Sequence, residues 1–117
     1  EVARQLGVRG IFAEKEGQAR VFRRGFSISP GERVLIVDDI LTTGNSIRQV
    51  MAAVTKQGGI GPGIGTLVDR SEQEMEFSGP LFSCHRVVTP TYSPQDCPLC
   101  AAHIPLVKPG SSQNPPE

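Results

Sequence analysis

Two adjacent carboxylates, Asp38 and Asp39, close an apolar run in "VLIVDDILTTGNS", positions 34–46, and small hydroxyl-bearing residues follow at once. These residue types suit two kinds of ligand group. Thr42, Thr43, Gly44, Asn45 and Ser46 are small enough to let backbone N–H groups turn inward, and three of them, Thr42, Thr43 and Ser46, carry hydroxyls. Where such a loop enters a helix N-terminus it makes an anion site suited to phosphate. The two carboxylates accept hydrogen bonds from vicinal hydroxyls or help hold a hydrated Mg²⁺. A ligand with a phosphate and a diol a few ångströms apart is a ribose 5-phosphate.

The elements that must position this stretch are legible on either side of it. Val34, Leu35, Ile36 and Val37 form an unbroken apolar run, the pattern of a strand covered on both faces in a parallel sheet. From Ser46 to Gln57 the period changes: Ile47, Val50, Met51 and Val54 fall on one helical face. Asn45 or Ser46 suits its cap, Lys56 its C-terminal dipole and Gly58 its end. "IGTLVDR" (64–70) reads as the next strand, "SEQEMEF" as a polar connector and "GPLFSCHRVV" as a last strand. Strand, helix, strand in this order predicts a βαβ unit in an α/β sheet. Open sheets of this class place ligands beyond the carboxyl ends of their strands, where Asp38 and Asp39 stand.

Earlier in the chain, "EVARQLGV" reads as the second half of an amphipathic helix with Val2, Ala3 and Leu6 as its stripe and Gly7 as its stop. The chain is therefore expected to begin inside a larger domain. "VRGIFAEK" has the apolar centre of a short strand, and residues 16–31, with Arg20, Arg23 and Arg24, read as a mobile loop or hairpin arm. The expected organisation is an α/β domain over residues 1–89 and a Pro- and Cys-containing tail over 90–117.

Composition narrows the function classes. A chain of 117 residues supports one core, and 38% apolar with 21% charged residues is a soluble globular balance. Twelve basic and twelve acidic residues cancel, so no global field recruits nucleic acid or an anionic membrane. No apolar run is long enough to span a bilayer, and three cysteines make no disulfide framework; a reduced, cytoplasmic setting is expected. A Walker A loop is excluded because no lysine follows Gly44, and "GPGIG" at 61–65 reads as a turn. The acidic start of a receiver domain would open its chain, and the hydroxyl-rich loop has no role there.

With these residues in place, "VLIVDDILTTGNS" resembles the 5-phosphoribosyl 1-diphosphate (PRPP) signature of type I phosphoribosyltransferases: four apolar residues, two acids, two apolar residues, then T-T-G-x-S. Within that family the finer resemblance is to the orotate phosphoribosyltransferases. It rests on "GIFAEKEG", "RRGFSISPGERV", "LVDR" and the tail "CPLCAAHIPLVKPGS". The resemblance implies a mostly parallel sheet with flanking helices, here N-terminally incomplete: family members begin with a hood and a first strand that this sequence does not supply. It implies that Asp38 and Asp39 hold the ribose 2- and 3-hydroxyls, that Ile40, Leu41, Thr42, Thr43, Gly44, Asn45 and Ser46 hold PRPP, and that Thr42 and Arg70 face orotate. Lys15 would neutralise the pyrophosphate leaving group, with Arg23 or Arg24 able to share that role. Mg²⁺ is expected to arrive on the pyrophosphate, and a homodimer would share the catalytic loop between subunits. The implied reaction is orotate + PRPP → orotidine 5′-monophosphate + pyrophosphate, a step of pyrimidine synthesis. These 117 residues by themselves are expected to bind ribose phosphate poorly and need not turn over. A purine-type phosphoribosyltransferase, or a non-catalytic PRPP-sensing module, stands as the alternative.

One cluster lies outside this scheme. Cys97 and Cys100 form a CxxC pair with His103 close behind and Cys84 upstream, a set of soft and borderline ligands that would suit zinc. A single CxxC is a thin signature, and a tail feature packed against the domain is the more economical reading.

Overall fold

The computed structural model describes residues 1–105; the last part of the expected tail, 106–117, with "LVKPGS" of the resemblance, lies outside the described residues. Eight elements follow one another: α1 (Val2–Leu6), β1 (Glu14–Glu16), β2 (Ala19–Val21), β3 (Ile36–Leu41), α2 (Asn45–Lys56), β4 (Ile64–Asp69), β5 (Leu81–Arg86) and α3 (Pro98–Ala101). β3, β4 and β5 make a parallel sheet in that order, and β1 and β2 a separate antiparallel hairpin. The α/β class with a parallel sheet is as expected.

Register is set by residues that share a face. Ile36, Ile64 and Leu81 stand side by side across the three strands, and two positions further on Asp38, Thr66 and Ser83 do the same. The hydroxyls of Thr66 and Ser83 meet at 2.8 Å, so the polar pair inside the sheet is satisfied. The core gathers Ile28, Ile36, Leu41, Ile47, Val54 and Ile64, with Phe22, Val50, Met51, Met75 and Phe77 packed around it. Leu41, Ile47 and Val54 are 1% exposed, which fixes α2 on the strand that carries the acids.

The helix begins one residue earlier than its polar sequence suggests. Gly44, not Asn45 or Ser46, is the N-cap, at φ 72°, and no side chain caps the helix. A left-handed cap is cheap for glycine alone. The C-terminal end matches the reading: Gly58 at φ 79° donates its N–H to the Thr55 carbonyl at 2.9 Å.

Two expectations need correction. The apolar stretch of "VRGIFAEK" is not a strand; only Glu14–Glu16 is, paired with Ala19–Val21. Residues 8–13 find no ladder and instead run close over α1, where Val8 N–H bonds the Ala3 carbonyl at 3.0 Å and a Cβ on Gly10 would meet the Ala3 Cβ at 2.9 Å. The run 34–37 is not covered on both faces either. Ile36 is buried, but Leu35 and Val37 are about half exposed, as are Leu67 on β4 and, more so, Phe82 on β5. Among the described residues β3 has one neighbour, β4, so its other edge carries no ladder. Along that edge a cavity of about 790 Å³ opens between α1, residues 8–13, β3 and the start of α2.

The arm expected over 16–31 is a hairpin only in part: its strands run from Glu14 to Val21, and residues 22–31 join no ladder. Arg23 pairs with Glu16, and Arg24 with Glu14 at 2.7 Å. Arg24 also lies over the Phe12 ring, which meets Phe26 edge to face with centroids 5.1 Å apart. Phe22, just past β2, anchors the arm to the core beside α2.

Candidate functional site

The site is built from the ends of two adjacent strands. Parallel pairing sets Leu41, the last residue of β3, beside Asp69, the last of β4. Both strands stop there, and the Arg70 N–H donates to the Leu41 carbonyl at 2.8 Å. That bond brings the loop after β3 and the residue after β4 to one place. Thr42 and Arg70, the two residues implied to face a base, are thus one step beyond a paired position, and both are exposed.

The loop carries the features its composition foretold. Residues 38 and 40–47 line a small cradle of about 30 Å³. The first intrahelical bond of α2 is Arg48 N–H to the Gly44 carbonyl at 2.9 Å. The N–H groups of Asn45, Ser46 and Ile47 precede it and have no intrahelical acceptor, as at every helix start. With no side-chain cap on this 12-residue helix, those donors and the positive end of its dipole are available to an anion.

Asp38 and Asp39 are brought to the mouth of the cradle but not to the same wall of it. Successive strand residues point to opposite faces. Asp38 is half-buried and lines the cradle, whereas Asp39 is exposed and does not. Each carboxylate spends one oxygen locally: Asp38 Oδ1 accepts the Asp39 N–H at 3.1 Å, and Asp39 Oδ1 the Ile40 N–H at 2.8 Å. The remaining oxygens are hard donors, the chemistry that fits diol hydroxyls or a Mg²⁺ ion brought in on a polyphosphate.

Three supports of this site were not read from the sequence. Asp69, 6% exposed, accepts both the N–H and the hydroxyl of the buried Ser71, at 2.8 and 2.6 Å, through one oxygen. Arg86 on β5 stands 3.8 Å from its other oxygen. Burial pushes the Asp69 carboxyl up, but the two Ser71 donors and the Arg86 charge outweigh it and hold it below the usual carboxylate range. An Asp followed two residues later by Ser after a strand is an Asx-turn signal, and it was present in "VDRS". The second support is Arg48, which donates to the Thr43 carbonyl at 3.0 Å and lies 5.1 Å over the Phe77 ring. The third is the connector 71–79 itself: Met75 and Phe77 pack down onto the core beside Gly44.

Lys15 stands on β1, exposed, away from the cradle walls. Among the described residues it has no ion-pair partner, whereas Arg23 and Arg24 are engaged by Glu16 and Glu14. The zinc set is not assembled. Cys84 lies on β5 while Cys97, Cys100 and His103 belong to α3 and the turn after it, and no three metal-ligating side chains among the described residues form a group.

Two acids within the last four residues of β3, a hydroxyl-rich loop and a helix N-terminus, set beside the end of a second parallel strand, define an α/β protein with a site fit for an anion. The family model for the phosphoribosyl transferase domain matches residues 3–99, and the chain belongs to that family. Among curated relatives it is similar to the orotate phosphoribosyltransferase of Pelotomaculum thermopropionicum, 53% identical over 111 residues, or 95% of this chain and 58% of that protein. It is likewise similar to the enzymes of that name from Caldanaerobacter subterraneus subsp. tengcongensis, 51% identical, and Chlorobium phaeobacteroides, 47% identical, each over the same shares. The chain thus spans about 58% of the length of the curated relatives it matches.

Proposed function

We propose that this chain carries the PRPP- and base-binding half of an orotate phosphoribosyltransferase. The observation that carries the reading is the backbone bond from Arg70 to Leu41, which sets a cation suited to a carboxylate beside a loop suited to a ribose 5-phosphate. Similarity to proteins named for that reaction supports the same substrate pair.

The roles follow from the chemistry of each group. The free N–H groups at the start of α2 and the hydroxyls of Thr42, Thr43 and Ser46 hold the 5-phosphate. Asp38 and Asp39 accept the ribose hydroxyls, orienting C1 of the sugar toward the base. Arg70 forms a two-pronged pair with the carboxylate of orotate, and Thr42 lies beside its ring. The carbon–oxygen bond to pyrophosphate breaks ahead of attack by the base nitrogen, so the chief task is to stabilise the separating charges and keep the reactants aligned. Lys15, carried on the hairpin, neutralises the departing pyrophosphate. Mg²⁺ bound to that pyrophosphate supplies further charge neutralisation and fits the hard oxygen donors at the mouth of the cradle. A homodimer in which the hairpin reaches a neighbouring subunit's site, working in the cytoplasm, completes the proposal, as does the division into a domain over 1–89 and a tail over 90–117. Among the described residues no helix is long and apolar enough to cross a membrane.

Titrating PRPP with Mg²⁺ into the chain, then adding orotate, tests this. Binding should vanish when Asp38 and Asp39 are both changed to Asn, and orotate should add heat only when PRPP is present and Arg70 intact. Undiminished PRPP binding by the double variant, or an orotate response unchanged by Arg70→Ala, would overturn the assignment.

A further inference from the structure

The proposed transfer reaction makes no use of the paired cysteines after β5, yet they are arranged for chemistry of their own. Cys97 is the N-cap of α3, and its carbonyl accepts the Ala101 N–H at 3.0 Å; the His103 N–H then bonds the Cys100 carbonyl, also at 3.0 Å. Residues three apart on such a turn are neighbours, with Cβ atoms about 5–6 Å apart. A disulfide needs roughly 3.5–4.5 Å between Cβ atoms, so a modest rotation at the non-helical Cys97 closes the gap. Its ψ of 117° places that residue outside the rigid part of the turn.

The two side chains stand on one turn, Cys97 at the N-cap and Cys100 three residues on, near enough for the backbone N–H and thiol of Cys100, and the Leu99 N–H, to act on the Cys97 sulfur. These contacts hold the Cys97 thiol below its ordinary value, while the same thiol contact and then burial push Cys100 up. One cysteine is therefore the better nucleophile and the other its waiting partner. Both are free and partly exposed, so a small reagent can reach them, and Cys84 does not join them in a group of three.

We propose that Cys97 and Cys100 form a reversible intramolecular disulfide by exchange with a low-molecular-weight disulfide. Cys97 thiolate attacks one sulfur of the reagent, making a mixed disulfide and expelling one thiolate. Cys100 then gives up its proton and attacks the Cys97 sulfur, expelling the second thiolate. The protein dithiol is oxidised to a disulfide, the reagent disulfide is reduced to two thiols, and the two protons lost by the protein end on them. The product ties the N-cap of α3 to its last turn, a constraint the reduced turn holds by hydrogen bonds alone.

The test is equilibration of the whole chain in mixtures of reduced and oxidised glutathione, followed by acid quench, alkylation and peptide mass mapping. The parent and Cys84→Ser should lose two hydrogens in the peptide holding Cys97 and Cys100, take no alkyl group there, and recover both sites on adding a dithiol. Cys97→Ser and Cys100→Ser should yield a glutathione adduct in place of the internal bond, with circular dichroism unchanged. Three results would each overturn the proposal: glutathione adducts alone on the parent, a bond to Cys84, or Cys97 and Cys100 alkylated as fully as Cys84 across the whole range.

Discussion

Changing Asp69 to Asn or Ala separates charge from mere occupancy at the strand end that presents Arg70. The carboxylate is buried, and its two short bonds both come from Ser71, itself 3% exposed. A net hydrogen bond to a charged group contributes about 1.5–3 kcal/mol, roughly twice a neutral one. Asn keeps an acceptor but not the charge, so the two bonds together should weaken by about 1.5–3 kcal/mol. Ala leaves two buried Ser71 donors unanswered at about 1–3 kcal/mol each, so its cost is roughly 2–6 kcal/mol. Arg86 adds little to either figure, because its side chain is 45% exposed and solvent screens the 3.8 Å pair. Urea titration with an unchanged slope gives these differences directly. Their pH dependence has a defined sign. The folded Asp69 lies below its ordinary 3.8, so its contribution is complete above the unfolded value and is lost as pH falls through the folded one. The gap between parent and Asp69→Asn should therefore be full at neutral pH and close below about pH 4. An Asn variant as stable as the parent at pH 7, or a gap that persists in acid, would refute the account of this carboxylate.

Gly44→Ala should destabilise the chain and weaken phosphate binding together. The left-handed backbone alone costs about 1–2 kcal/mol, and the new Cβ would sit 2.9 Å from Met75 Sδ and 3.1 Å from Phe77 Cζ; a thermal melt and a PRPP titration check both effects. On the role proposed for Lys15, Lys15→Ala should leave PRPP affinity within a few-fold and lower any turnover of orotate by about 10²–10³-fold, the usual loss for one transition-state charge donor; the split between kcat and KM is the readout. Val54→Ala, at a position 1% exposed, should cost about 2–4 kcal/mol in urea midpoint without moving the PRPP affinity of the folded protein.

The acids, the loop and α2 were legible because each depends on local rules: an apolar run, small residues at a turn, and a 3.6-residue period at Ile47, Val50, Met51 and Val54. Where neighbours decide, the sequence was silent. The run Val34–Val37 signalled a strand but gave neither its span, which is Ile36–Leu41 and runs through both acids, nor what covers it, and Leu35 and Val37 remain half exposed. Residues 8–13 have strand-like composition and no ladder to join, which no local pattern records. The start of α2 moved to Gly44 because the cap there is a backbone conformation, not a polar side chain. Among the site residues, the adjacency of Asp38 and Asp39 hid their divergence to opposite faces, a consequence of the strand period that their spacing already contained. Arg48 and Phe77 meet only through the fold, 29 positions apart in the chain.

The pairing of Leu41 with Asp69 also acts as a ruler. Neighbouring parallel strands are spaced about 4.8 Å apart whatever their side chains, so the interval between the loop at 42–46 and Arg70 is fixed by backbone geometry. On the proposed function, selectivity for the length of a substrate is then independent of the residues that bind its ends. Side-chain evolution at positions 42–46 or 70 can retune what is gripped, but not how far apart the grips stand. A one-residue slip of β4 would reset that interval and, in the same step, turn each of its side chains to the opposite face. The scale and the core are ruled on the same strand.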